Sequence, residues 1–191
     1  MARVVLPPWP PVPPSAGRVE LRPVSTRDVA MARELSSDPY VSQNGSLPFR
    51  ADADAALAWV DRQRARHTEG SGFSCSVVER ATGDAVGHCG LWTRDLGEGR
   101  ASAGYAIVPA ARGRGLAADA LNALTRFAWT VPGLILVELS VEPWNVASAR
   151  TAERCGYLFT GRLPRRRVSS GRDRDLHRYV AVRPVRGDEE S

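Results

Sequence analysis

Apolar and polar positions along the chain change period several times, and each change marks an element. Phe73-Ser-Cys-Ser-Val-Val78 alternates with period two, as a half-buried strand does. Ala81-Thr-Gly-Asp84 then turns the chain into a returning strand over 85–93. A further turn at Gly97-Glu-Gly99 leads into a strand over 103–108. From Leu116 the period becomes helical: Leu116, Ala120, Leu121, Leu124, Phe127 and Ala128 fall on one stripe, and Pro132-Gly133 stops the helix. Leu134-Ile-Leu-Val-Glu-Leu-Ser-Val141 is a near-continuous apolar run, the mark of a central strand. Asn145 to Arg154 reads as a short helix closed by Gly156, and 157–162 and 176–182 as two last strands. Upstream, Val19-Glu-Leu-Arg22 is a strand, and Ser25 or Thr26 caps a helix running to Ser36. Residues 37–50, with Pro39, Gly45 and Pro48, read as a loop. Residues 51–68 are a second helix with Ala55, Leu57, Ala58 and Trp59 as its apolar side. The order β-α-α-β-β-β-α-β-α-β-β predicts an α/β domain, a mixed central sheet flanked by helices.

Composition narrows the class. The chain has 191 residues, 43% hydrophobic and 25% charged, which suits one globular domain. No apolar run approaches the ~18 residues that cross a bilayer, so no membrane partner is expected. The first residues break into prolines rather than forming a signal peptide's apolar segment, and a cytoplasmic location is expected. Pro7 to Pro14 reads as an extended polyproline leader. The predicted division is a flexible arm over 1–17, the folded domain over 18–184 and a tail over 185–191. Cys75, Cys89 and Cys155 are scattered, with no CxxC pair, so neither a disulfide framework nor a metal site is indicated. A net charge of +5 favours acidic ligands. All the basic residues are arginine, with no lysine, and such a bias also arises from base composition alone.

One segment changes the picture from fold to chemistry. Gly104-Tyr-Ala-Ile-Val-Pro-Ala-Ala-Arg-Gly-Arg-Gly-Leu-Ala117 runs from a buried strand through a basic glycine loop into a helix. Unpaired N–H groups, the positive end of a helix dipole and two arginines meet there, a site suited to a pyrophosphate. The spacing Arg112-x-x-Gly115-x-Ala117 resembles the acetyl-CoA loop of the GNAT N-acetyltransferases. A second stretch, Asn145-Val-Ala-Ser148 opening a helix that ends in Gly156-Tyr157, resembles that family's second motif. With Leu163-Pro-Arg and Asp175-Leu-His-Arg-Tyr179, the chain is most similar to the ribosomal-protein N-terminal acetyltransferases. The resemblance implies the GNAT fold, acetyl-CoA as co-substrate and a primary amine as acceptor, on a protein N-terminus or a small molecule. It implies cofactor contacts at Tyr105, Ile107, Arg112, Gly113, Arg114, Gly115, Leu116, Ala117, Asn145 and Ser148. An N–H near Ile107 would polarise the thioester carbonyl. Each residue also has a plainer use: the glycines as a turn, Asn145 as a helix cap, Tyr157 as core and His177 as a structural strand residue.

Two departures bear on the chemistry. Many family members carry a tyrosine acid four residues before the glycine of the second motif, and here Ala152 stands there. Many relatives carry a glutamate on the cofactor strand where Ser102 and Ala103 stand here. Glu138 on the central strand is the remaining candidate base and Ser148 the candidate proton relay, so the catalytic expectation is Glu138 with Ser148. Arg162-Leu-Pro-Arg165-Arg-Arg-Val-Ser-Ser-Gly-Arg172-Asp-Arg174 is a basic hairpin, either solvated or an attractor of acidic acceptors. It lacks interleaved aromatics, which argues against nucleic acid. A homodimer is compatible with all of this. The rival reading is a non-catalytic acyl-CoA-binding or basic RNA- or ribosome-associated module on the same fold.

Overall fold

In the computed structural model, which describes residues 5–167 and 173–185, one eight-stranded sheet carries five α-helices. The chain runs β1 (Ser15–Ala16), β2 (Val19–Pro23), α1 (Val29–Ser36), α2 (Pro39–Asn44), α3 (Ala53–Glu69), β3 (Gly72–Glu79), β4 (Ala85–Trp92), β5 (Arg100–Ile107), α4 (Leu116–Ala128), β6 (Leu136–Val141), α5 (Val146–Arg154), β7 (Leu158–Arg167) and β8 (Asp173–Val182). The strands lie in the order β1-β2-β3-β4-β5-β6-β8-β7. Every neighbour is antiparallel except β5 and β6, which α4 joins as a parallel crossover.

Alternation sorts the two faces. Phe73 of β3 meets Phe127 of α4 edge-on at 4.8 Å, so the odd positions of β3 face α4. Ser74 bonds Gln63 of α3 and Ser76 bonds Asp28 ahead of α1, so the even positions face α1 and α3. The ladder carries this sorting across the sheet: Ala101, Ala103, Tyr105 and Ile107 of β5 share the α4 face, as do Val137, Leu139 and Val141 of β6. Ser102 of β5 and Glu138, Ser140 and Glu142 on and just past β6 turn to the α1 side. The predicted stripe of α4 is buried as expected, with Leu116, Leu121 and Leu124 at most 1% exposed.

Several expectations change. Residues 39–44, read as a loop, form α2, because Asp38 accepts from the Tyr40 N–H at 2.8 Å and Pro39 takes the first helical position. The buried side of α3 is Ala56, Trp59, Val60 and Gln63, while Leu57 is exposed. The stripe follows i, i+3, i+4, i+7 one residue out of phase with the expected one. β5, β7 and β8 are longer than predicted, because their polar ends are held by the ladder rather than by apolar pattern. The proline-rich arm, expected to be flexible, lies on the domain: Leu6 is buried, and Trp9 packs 5.1 Å from Phe73 and 5.5 Å from His67. Trp9 lies between the ends of α3 and α4, against His67 and Phe127. Residues 186–191 of the predicted tail lie outside the described residues, as do 168–172 and the side chains of Arg165, Arg166 and Arg167 in the basic hairpin.

Candidate active site

The sheet forks at its centre. β5 and β6 are paired only from Arg100↔Leu136 to Ala103↔Leu139. Beyond that, β5 follows β4 to Gly87↔Ile107, and β6 follows β8 to Val141↔His177. The Val108 N–H donates to the Val86 carbonyl at 3.0 Å, so alternate residues of β5 turn their amides to β4. Tyr105 and Ile107 therefore turn theirs into the fork. An extended amide-bearing chain would complete the sheet there, with Tyr105 and Ile107 as its partners.

Beyond the fork, the chain turns into α4 through Arg112-Gly113-Arg114-Gly115. Gly113 and Gly115 sit at φ 74° and 79°, the left-handed region that favours glycine. A side chain at Gly113 would meet open space, and a Cβ at Gly115 would meet only the Arg18 guanidinium, 3.5 Å away. No side chain caps α4, so its first N–H groups, those of Leu116 and Ala117 among them, have no side-chain acceptor and are available to an anion. Leu116 is itself buried and offers only its backbone. The two arginines are not idle. Arg112 bonds the Ile107 carbonyl at 2.9 Å and pairs with Asp38 at 2.6 Å, and Arg114 pairs with Glu79. An incoming phosphate competes with these carboxylates, so the backbone amides and helix dipole are the ready part of the site.

α5 closes the cofactor face. Asn145 caps it, its Oδ1 accepting from the Ser148 N–H at 3.1 Å. Tyr105 crosses from β5 to set its hydroxyl 3.4 Å from the Ser148 carbonyl. Burial raises the Tyr105 hydroxyl above the usual tyrosine range, against hydrogen bonds at Ser148 and Thr151 that lower it. On the opposite face, Glu142 lies just past β6 and is 5% exposed. It accepts from the Tyr40 hydroxyl at 2.5 Å and from Arg174 at 3.2 Å. Asn145 Nδ2 donates to the same Tyr40 oxygen at 2.8 Å. Burial first, and the hydrogen bond to Glu142 second, push the Tyr40 hydroxyl well above its ordinary range.

A strand edge open for a pantetheine arm, ending at glycine-spaced helix amides for a pyrophosphate, fits acetyl-CoA. The family model for the acetyltransferase (GNAT) domain matches residues 18–158. The chain belongs to the GNAT acetyltransferases. It is 25% identical, over 87% of its length and 93% of the other protein's, to p20 of Bacillus licheniformis, an uncharacterized N-acetyltransferase. The fold is shared with RimJ of Mycobacterium smegmatis in complex with CoA-disulfide: TM-score 0.73, 23% identity, 86% of this chain and 81% of that one. It is shared also with RimL, a ribosomal L7/L12 alpha-N-protein acetyltransferase in complex with coenzyme A: TM-score 0.74, 18% identity, 88% and 96% covered. As a GNAT N-acetyltransferase, the chain uses acetyl-CoA as co-substrate and an amine as acceptor.

Of the residues singled out by sequence, Tyr105, Ile107, the 112–117 loop, Asn145 and Ser148 surround one fork. Glu138 stands apart from them. It lies on the α1 side, level with Ser102, where β5 and β6 are still paired, and its nearest cation is Arg178 at 3.8 Å. The sequence reading missed Arg18, Tyr40 and Glu142. Arg18 reaches Gly115 from 97 positions upstream through the β1–β2 turn, and no spacing rule connects them. Asp38-Pro39, a helix start, was the one available signal for Tyr40. No helix among the described residues is long and apolar enough to cross a membrane.

Proposed function

We propose that this GNAT enzyme acetylates the N-terminal amine of a protein substrate, in the cytoplasm. The observation that carries the reading is the two-sided fork: helix amides and an open strand edge on the α4 face, and a carboxylate-and-arginine cleft on the α1 face. A thioester is already activated, so holding it beside a neutral amine supplies most of what the reaction needs. The amides of Tyr105 and Ile107 would grip the pantetheine, with the Ile107 N–H facing the thioester oxygen; one such donor is typically worth ~3 kcal/mol. The amides of Gly113 to Ala117, with Arg112, Arg114 and Arg18, would hold the pyrophosphate. Ser148, against the Tyr105 hydroxyl, would return a proton to the leaving thiolate, a task for which Ala152 has no acid. Arg174 and Arg178 line the acceptor side, which favours peptides with acidic residues behind the free amine.

The test is thiol release from acetyl-CoA over a panel of N-terminal peptides, acidic and neutral, alongside small polyamines. Acetylated acidic peptides, located by mass spectrometry at the α-amine, are the expected result. Turnover of polyamines alone would move the acceptor to the small-molecule class. Acetyl-CoA binding without turnover of any amine would make the chain a binding module.

A further inference from the structure

We infer that Glu142 takes the proton from the attacking amine, and that Tyr40 and Arg174 hold it at the mouth of the fork. The inference rests on the acetyl-transfer reading above. Glu138, Ser140 and Glu142 alternate onto the acceptor face, and of the two carboxylates only Glu142 lies beyond the last β5–β6 pair, Ala103↔Leu139. Continuing the register from Ala103↔Leu139 sets Glu142 and Pro143 level with Ala106 and Ile107, whereas Glu138 is level with Ser102. At ~3.3 Å per residue, four residues put Glu138 about 13 Å behind the mouth.

A carboxylate buried this deeply needs partners, and it has one on each oxygen: the Tyr40 hydroxyl and Arg174. Each oxygen keeps a lone pair free for a third donor. Tyr40 is in turn fixed by Asn145 and by Trp144, whose ring it meets edge-on at 5.1 Å. Asn145 also caps α5, so one run of hydrogen bonds joins the cofactor-side helix to the acceptor-side carboxylate. The first turn of α2 is tied to Arg112 beyond β5 through Asp38 and to Glu142 beyond β6 through Tyr40, and so bridges the fork, while Gln43 near its other end accepts from Arg174 at 3.0 Å. The charged and titratable groups facing Glu142 are Tyr40 from α2 and Arg174 and Asp175 from β8. The Glu138–Arg178 pair lies further back along the sheet. Exposed Trp144 and Pro143 form the apolar lip of the same depression.

In the reaction the amine nitrogen bonds to the thioester carbonyl carbon and becomes far more acidic than a free ammonium. One N–H proton passes to the Glu142 carboxylate. The intermediate collapses, the C–S bond breaks with its electron pair on sulfur, and the sulfur gains a proton. The proton lost by nitrogen matches the one gained by sulfur, leaving amide and CoA thiol. Glu142 is the catalytic residue here, and Tyr40 and Arg174 are positioning residues.

The test compares Glu142→Gln, Glu138→Gln and Tyr40→Phe on an acceptor the parent enzyme turns over. Glu142→Gln should lower kcat by about 10²-fold, a general base's usual share, with acetyl-CoA Kd by calorimetry within twofold of the parent's. Formate should restore part of the activity of Glu142→Gly and leave the parent unchanged. Tyr40→Phe, which removes only the hydroxyl and serves if Glu142 variants fail to fold, should lower kcat about tenfold. Parental kcat in Glu142→Gln or Tyr40→Phe, failure of formate rescue, or a larger kcat loss in Glu138→Gln would each overturn the inference. A parent that acetylates no amine would overturn the functional reading, and this one with it.

Discussion

Ser148 has its N–H committed to the Asn145 cap and its side chain set against Tyr105. Replacing it by Ala leaves the cap intact, so Ser148→Ala should lower kcat more than it weakens acetyl-CoA binding. A change confined to the KM for acetyl-CoA would make Ser148 a binding residue only. Gly115 answers a different question. Its positive φ, with only the end of the Arg18 side chain beside it, leaves room for a phosphate, and a Trp there would fill that room. The left-handed backbone costs a non-glycine residue about 1–2 kcal/mol. Gly115→Trp should therefore remain folded but bind acetyl-CoA at least tenfold more weakly by calorimetry, and equal affinity would refute the assignment of the loop. Arg112 and Arg114 are less decisive targets, because Asp38 and Glu79 already hold them.

At the scale of elements, α2 is the piece whose loss would be felt on both sides of the fork. Asp38 caps it and also holds Arg112. Asp38→Ala removes the cap, worth about 1 kcal/mol, and should lower Tm by about 2–4 °C. It also frees the Arg112 guanidinium for phosphate. Acetyl-CoA affinity should then rise while the acceptor KM worsens, because Tyr40 loses its fixed backbone; a parallel loss of both would mean that α2 supports the cofactor loop instead. α4 is a simpler element. Leu121 is fully buried on its stripe, and Leu121→Ala should cost about 2–5 kcal/mol in urea unfolding, the usual range for such a cavity.

For the whole molecule, two polar centres between the sheet and α1–α3, buried Asp28 and half-buried His88, set its response to acid. His88 is half-buried, hydrogen-bonded to Ser74 at 2.8 Å, and desolvation of its ring first, Arg66 second, depress it to about 3. Burial alone would raise Asp28, but bonds from Arg22, Ser25 and Ser76 outweigh it and hold the carboxyl below its usual value. Both groups bind protons more readily in the unfolded chain. The stability they lend is present at neutral pH; His88's share is lost as pH falls below about 6.5, and Asp28's is lost below the ordinary carboxylate range. Urea midpoints should fall steadily from pH 7 to pH 4, and His88→Gln should flatten that slope while lowering stability at pH 7. A flat midpoint in the parent would show that these centres open to water. Hydrophobic period determined the elements with the strongest patterns, the stripe of α4 and the run of β6, because burial there is set by neighbours three or two positions away. The 112–117 loop was legible for the same reason: glycines, arginines and a helix start lie within a few residues, and their chemistry is local. Asn145 could be read as a cap from its own side chain and its place before a helix. The fork itself was not legible, because it depends on where β5 and β6 stop pairing, a matter of register between strands joined through α4. Nor was the joining of Tyr40, Glu142 and Arg174, which lie 102 and 32 positions apart in sequence. Only the folded sheet, with α2 laid across its opening, brings those three charges and hydroxyls within hydrogen-bonding distance, and sequence periodicity carries no information about contacts at that range.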